Sequence, residues 1–109
     1  MGKRIISQRR GKGSATYKSP SHKFKAVVRH MSIKNEFVKG KVIDLIHCPG
    51  HTGPLAKIQY DNGETKHIIA PEGICVNQDV TVGSSEVSKG SCLALKDIPE
   101  GTLIYNIEN

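Results

Sequence analysis

Residues 38–60 read VKGKVIDLIHCPGHTGPLAKIQY, and the predicted architecture follows from this stretch. Two apolar runs, at 42–46 and 55–60, flank a segment with two prolines and two glycines, the Pro-Gly loop (residues 47–54). Short apolar runs bounded by Pro and Gly are typical of β-strands. The stretch therefore predicts an antiparallel pair of strands joined by a constrained loop.

The Pro-Gly loop is a candidate binding element. Pro49 and Pro54 fix φ and lack an N–H group, while Gly50 and Gly53 allow the close approach of a partner's backbone. A loop held between two strands is well placed to meet a ligand. We therefore expect His51 to contact a phosphate or a base, and His47 to orient the loop by a hydrogen bond.

Three further strands are predicted, at 65–70, 77–82 and 102–107. The sequence Asp-Asn-Gly at 61–63, just before the first of them, is a strong hairpin signal because Asn and Gly tolerate positive φ. Five short strands separated by Gly and Pro turns, without a long helical period, predict an all-β chain. The expected architecture is a small five-stranded antiparallel OB-like barrel, with an SH3-like barrel as the alternative.

Residues 26–37 allow two interpretations. The valines at the start, Val28 among them, favour a short strand, whereas Ile33 and Phe37 are four residues apart and can share one turn of a helix. In either case we expect Met31 and Phe37 to close the bottom of the sheet.

Charge is distributed unevenly along the 109 residues. Residues 1–41 contain 12 lysines and arginines and one acidic residue, whereas residues 42–109 contain 4 basic and 9 acidic residues. The net charge of +6 is therefore the sum of a strongly basic part and a mildly acidic one. A basic segment attached to an acidic body is typical of proteins that bind polyanions.

The composition divides the chain into a basic extension, residues 1–37, and a barrel domain, residues 38–109. Residues 1–25, the basic arm, lack an apolar period and cannot bury enough apolar surface to order themselves. We expect the basic arm to be disordered in the free chain and to become ordered on nucleic acid.

Basic side chains are the candidate phosphate contacts, because an arginine fork pairs well with phosphate oxygens. Tryptophan is absent and tyrosine is rare, which disfavours base stacking and favours recognition of the backbone and shape of folded RNA. The candidates are Arg9, Arg10, Lys12, Lys18, Lys23, Lys25, Arg29, Lys39 and Lys41.

Histidines and cysteines raise the alternative of a zinc site or a Cys/His enzyme, built from His47, Cys48, His51 and Cys75. Their spacing matches no common zinc motif, and adjacent residues on a strand face opposite sides. Motifs such as Walker A or GxSxG do not occur. The sequence therefore predicts no enzyme, no metal and no cofactor.

Signals for membranes and secretion are lacking in the sequence. No apolar run approaches the roughly 18 residues of a membrane-spanning helix, and the start of the chain lacks the apolar region of a secretory signal. We expect a cytoplasmic protein with no membrane partner and no small-molecule substrate.

Residues 39–58 closely resemble the signature of the universal large-subunit ribosomal protein L-two family in its archaeal and eukaryotic form. The loop of that family usually reads His-Asp-Pro-Gly-Arg-x-x-Pro-Leu-Ala, so that Cys48 replaces Asp and His51 replaces Arg in this chain. The resemblance continues in family order with RRGKGS at 9–14, APEGI at 70–74 and IPEGT at 98–102.

This resemblance implies a structural constituent of the large ribosomal subunit that binds large-subunit rRNA beside other ribosomal proteins, and thus acts in translation. The family continues into an SH3-like barrel and a basic C-terminal tail. The alternatives are the zinc or Cys/His enzyme module and an OB-fold nucleic-acid binder outside the ribosome. The expected rRNA contacts are Arg9, Arg10, Lys12, Lys18, Lys23, Lys25, Arg29, Lys39, Lys41, His47, Pro49, Gly50, His51 and Pro54.

Overall fold

Four antiparallel strands form one sheet in the computed structural model, which describes residues 2–32, 37–83 and 86–108. The order across the sheet is β3-β2-β1-β4, so β1 lies in the middle and pairs with both β2 and β4. The strands are β1 (Val38–Ile46), β2 (Leu55–Tyr60), β3 (Thr65–Ile69) and β4 (Asp79–Val82).

One face of the sheet carries the main core. Val42 on β1 lies opposite Ile58 on β2, and both side chains are buried, as expected for directly opposed residues that share a face. Val80 and Val82 on β4 extend the same core, as the sequence predicts. The cluster also includes Met31, Ala56, Tyr60, Ile68 and Ile74.

The predicted strand pair and hairpin are confirmed. β1 and β2 run antiparallel, and the hairpin between β2 and β3 closes with the N–H of Tyr60 donating to the carbonyl of Glu64 at 2.9 Å. Gly63 has φ of 87°, which an L side chain rarely adopts. The side-chain oxygen of Asn62 accepts from the N–H of Glu64 at 3.0 Å, an additional stabilisation of this turn.

The predicted fifth strand is not present in this structure, because residues 102–107 form no strand. Both outer edges of the sheet already have a neighbour: Val28 bridges His67 beside β3, and Cys92 bridges Val82 beside β4. Asn106 has φ of 51°, which interrupts an extended backbone. The antiparallel β character is therefore confirmed, whereas the described residues form four strands rather than a closed five-stranded barrel.

The segment before β1 is only partly as predicted. Met31 is buried in the main core, but Phe37 is 51% exposed, so the prediction that both residues close the sheet is right for Met31 and wrong for Phe37. Val28 makes a single bridge rather than a strand. The predicted helical turn with Ile33 lies outside the described residues.

Short 3₁₀ helices are the helical elements of the described chain, at Ile6–Lys12, Ser21–Lys23 and Leu95–Asp97. Two of them lie in the basic arm, where the sequence predicts no regular structure, so that prediction is wrong for these turns. No side chain of the described arm is buried. No helix among the described residues has the length and apolarity needed to cross a membrane.

Candidate nucleic-acid interface

The face of the sheet opposite the main core, the outer face, is basic along β1 and β2. Lys41 follows the buried Gly40 and precedes the buried Val42, so alternation places Lys41 on the outer face. Lys57 lies in the same way between buried Ala56 and Ile58. Lys39, two residues before Lys41, belongs to the same face.

Register determines the polar neighbours of these lysines. Lys41 lies between Gln59 on β2 and Asp79 on β4, while Lys57 lies between Asp44 on β1 and His67 on β3. None of these pairs is an ion pair, since the one ion pair between described residues joins Lys66 and Glu64 at 3.9 Å. The ammonium groups of Lys41 and Lys57 therefore remain available to a ligand, while that of Lys39 lies 5.7 Å from the centroid of the Phe37 ring.

A β-bulge in β1 places Asp44 opposite Lys57. The register of β1 against β2 shifts between Val42 and Asp44, which leaves Ile43 as the extra residue of β1. Because side chains alternate with a period of two, the extra residue moves Asp44 to the outer face, opposite Lys57.

Residues 24–30, the arm root, join the basic arm to the edge of the sheet. The N–H of Arg29 donates to the carbonyl of His67 at 3.1 Å, beside the bridge between Val28 and His67. The side chain of Arg29 is exposed. The arm root therefore supplies a further exposed cation beside β3.

The Pro-Gly loop contacts the arm root directly. The ring of His51 stacks on the ring of Phe24, with the ring centroids 4.4 Å apart and an angle of 19° between the planes. A Cβ atom at Gly50 would lie 2.1 Å from Cδ1 of Phe24. The partner that approaches Gly50 closely is therefore Phe24 of the same chain.

Cys48 lies beneath this contact and is fully buried. Its Sγ accepts a hydrogen bond from the backbone N–H of Lys25 at 3.4 Å and lies 2.9 Å from Nδ1 of His51. Burial raises the pKa of the Cys48 thiol, but the N–H of Lys25, the His51 side chain and the N–H of Gly50 favour the thiolate. The balance lowers the pKa of Cys48 from 9.0 to about 7.

A second buried region lies under the loop, apart from the main core. Leu55 is two residues before Lys57 and so lies on the outer face, yet it is fully buried. Neither Leu55 nor Cys48 belongs to the main core cluster. Their burial indicates that the Pro-Gly loop and the arm root cover this end of the outer face, leaving the basic end open.

The predicted contact residues fall into two groups. Gly50 and His51 are half-buried against Phe24. The others are exposed, namely Arg9, Arg10, Lys12, Lys18, Lys23, Lys25, Arg29, Lys39, Lys41, His47, Pro49 and Pro54. The structure joins the loop to Lys25, whereas the backbone hydrogen bonds between described residues 5–24 stay within the arm.

Three residues of this region were missed by the sequence analysis: Phe24, Lys57 and His67. Lys57 carries a usable signal, because it alternates with apolar Ala56 and Ile58 in a predicted strand. Phe24 and His67 carry no such signal, since their roles depend on contacts with distant parts of the chain.

The zinc alternative gains no support from the geometry. The structure brings Cys48 and His51 together, but Cys75 is exposed and its thiol donates to the carbonyl of Gly73 at 3.9 Å. Within the described parts of the chain, no group of three or more His, Cys, Asp or Glu side chains is arranged to hold a metal ion.

Comparison with known proteins identifies the family. Residues 2–82 match the family model of ribosomal proteins L2, RNA binding N-terminal domain. The large ribosomal subunit protein uL2 of Methanothermobacter thermautotrophicus is 50% identical over 114 aligned residues, which cover 100% of this chain and 47% of that protein. The uL2 protein of Natronomonas pharaonis is 40% identical, over 99% of this chain and 45% of its own length.

The chain thus spans about half the length of the curated relatives it matches. The family model covers most of the chain, including the basic arm, the Pro-Gly loop and all four strands. The chain therefore belongs to the ribosomal protein L2 family, through the RNA-binding N-terminal domain of that family.

Proposed function

We propose that this chain binds large-subunit rRNA as a structural constituent of the large ribosomal subunit, and acts in translation without enzymatic activity. One observation carries the proposal: the described cations of the basic arm are exposed, and none forms an ion pair with a described acidic residue. Positive charge that the protein does not itself neutralise is available to phosphates. The family match and the names of the relatives support rRNA as the polyanion.

The interface of the proposal has two parts with different tasks. Exposed cations of the basic arm neutralise phosphates, which supplies affinity with little sequence information. The outer face and the Pro-Gly loop fit folded RNA at close range, through Lys39, Lys41 and Lys57 and through the exposed loop residues His47, Pro49 and Pro54. The division into a basic extension at 1–37 and a domain at 38–109 belongs to this proposal.

Other ribosomal proteins and a cytoplasmic ribosome complete the proposed setting. The relatives are large ribosomal subunit proteins, which supports assembly of this chain beside others of the same particle. We propose no role for a cofactor, a membrane or a small-molecule substrate.

We also propose that the sheet is the open part of an OB-like barrel. β1 pairs with β2 along one edge and with β4 along the other, so it is shared by two halves of the sheet. The bulge at Val42/Asp44 bends β1, and such bends allow a sheet to curve towards closure. Amide exchange of the rRNA-bound chain tests closure: strand-like protection at 102–107 is expected, and its absence would leave an open four-stranded sheet.

The proposed function is tested by comparing two RNAs. The chain is titrated with large-subunit rRNA and with an unrelated structured RNA of equal length at the same salt concentration. We expect tighter binding to large-subunit rRNA, together with co-sedimentation with large subunits stripped of the corresponding protein. Equal affinity for both RNAs and no co-sedimentation would favour a nucleic-acid binder outside the ribosome.

A further inference from the structure

The arm root is held at separate points along its length. The Phe24 ring stacks on His51, the N–H of Lys25 donates to Cys48, and the N–H of Arg29 donates to the carbonyl of His67. The described arm before Phe24, by contrast, is exposed throughout and makes hydrogen bonds within itself. The direction in which the arm leaves the sheet is therefore determined at the arm root.

The Cys48 sulfur is the centre of the first two attachments. It accepts a hydrogen bond from the backbone N–H of Lys25 at 3.4 Å and lies 2.9 Å from Nδ1 of His51. The backbone N–H of Gly50 also lowers the pKa of the Cys48 thiol. A cluster of N–H donors around one atom is suited to an anion, and a hydrogen bond to an ionised partner is stronger than a neutral one.

We propose that Phe24, Cys48 and His51 form a latch that fixes the arm root on the Pro-Gly loop, so that these three are positioning residues for RNA binding. In this arrangement His51 and Gly50 face the arm instead of a phosphate. The effect on RNA rests on the proposed function above, whereas the latch itself is a property of the chain without RNA.

The latch lowers the ordering cost of binding. With the arm root fixed, fewer backbone angles must be ordered when the arm's cations meet the phosphates. Loss of the latch removes no phosphate contact, so affinity falls while its dependence on salt stays the same. That combination distinguishes a positioning residue from a phosphate contact, whose loss also lowers the salt dependence.

Amide hydrogen exchange at Lys25 tests the latch in the chain without RNA. We expect Cys48→Ala to remove the acceptor of this N–H and to lower its protection factor, while the control Cys75→Ser, at an exposed thiol, leaves it unchanged. Phe24→Leu, which leaves the buried sulfur intact, should lower protection at Lys25 as well. Unchanged protection in both Cys48→Ala and Phe24→Leu would overturn the latch.

Cys48→Asp provides the rescue, because aspartate is an anionic acceptor of similar size. Among described residues, His51 is the titratable side chain that acts on Cys48, whereas Lys25 contributes its backbone N–H. Protection at Lys25 in the wild type should rise between pH 6 and pH 9, while protection in Cys48→Asp stays high throughout. Protection that is independent of pH in the wild type would show that the thiolate plays no part.

Titration of large-subunit rRNA at two salt concentrations then measures the effect on binding. We expect Cys48→Ala and Phe24→Leu to weaken binding about tenfold with an unchanged salt slope, which corresponds to ordering one or two further side chains. Cys48→Asp should restore the affinity.

If the wild type shows no preference for large-subunit rRNA, the proposed function fails, and amide exchange still decides whether the latch exists. If Lys25 protection falls but affinity does not, the latch exists without positioning the arm for RNA.

Discussion

The outer part of the basic arm and the arm root are adjacent in sequence but differ in how they are held. Described residues up to Lys23 are exposed, and their backbone hydrogen bonds have partners within the arm. The arm root contacts His51, Cys48 and His67, which belong to the Pro-Gly loop and β3. In the proposed function, charge and placement are therefore separate contributions to RNA binding: the outer arm supplies the charge, and the arm root determines the placement.

The largest expected effect concerns salt and the outer arm. If about six arm cations contact phosphates, affinity for rRNA should fall roughly a thousandfold between 50 and 200 mM salt, because each contact releases counterions. Replacing Arg9, Arg10 and Lys12 with alanine should lower the slope of log K against log salt by about 2 to 3. The same substitutions should weaken unrelated RNAs to a similar extent. An unchanged slope would remove the outer arm from the interface.

The next effect contrasts a glycine of the sheet with a glycine of the outer arm. A Cβ at Gly40 would lie 2.7 Å from Cδ1 of Tyr60, whereas nothing lies within 4 Å of one at Gly11. Gly40→Ala should therefore lower the free energy of unfolding by about 1–3 kcal/mol through overpacking. Gly11→Ala should change it by less than about 0.5 kcal/mol. Denaturant titration measures both, and equal effects would contradict the separation between sheet and arm.

A third test compares the two glycines of the Pro-Gly loop. A Cβ at Gly50 meets the Phe24 ring, but one at Gly53 would have Cγ2 of Ile69 as its nearest atom, at 3.9 Å. Gly50→Ala should displace Phe24 and weaken rRNA binding about tenfold at an unchanged salt slope, through the added cost of ordering the arm. Gly53→Ala is the matched control and should bind like the wild type. Weakening by both variants would point to direct contact between the loop and RNA.

The smallest expected effect is the pH dependence from Cys48. Its pKa is lowered to about 7 in the folded chain, so the thiolate contributes stability fully above pH 9 and loses it as the pH falls through 7. The difference in unfolding free energy between the wild type and Cys48→Ala should therefore grow from pH 6 to pH 9. Urea unfolding at a series of pH values measures this difference. A constant difference would mean that Cys48 acts only as a buried apolar group.

The strands and turns that local patterns describe were predictable. β1, β2 and the Asp-Asn-Gly hairpin follow from apolar alternation and turn residues within short stretches of sequence. The absence of a strand at 102–107 was not predictable from the sequence, because strand formation there depends on which edge of the sheet is free. In the structure Val28 and Cys92 bridge the two edges, and Asn106 at positive φ interrupts the segment. Nε2 of His30 also donates a hydrogen bond to the carbonyl of Asn106 at 2.7 Å, which is another contact between residues distant in sequence.

The features of the candidate site were likewise predictable only where they depend on residues close together in the sequence. The exposed cations could be named from the sequence alone, because a lysine or arginine in a segment without an apolar period has no core to enter. The role of Gly50 was predicted in kind, as close approach of a partner, but the partner is Phe24 rather than a nucleic acid. Lys57 lies on the same face as Lys39 and Lys41 because the register of β1 and β2 places Val42 opposite Ile58.

The sequence by itself determined the basic arm, the antiparallel strand pair and the family signature, because each depends on residues close together in the chain. The tertiary structure alone decided that Cys48 accepts the N–H of Lys25, a residue 23 positions earlier, and that Phe24 covers His51. Contacts of this kind depend on which edge of the sheet the arm root follows. Several distant segments could pair with the same edge of the sheet, and the local pattern of the sequence does not indicate which of them does so.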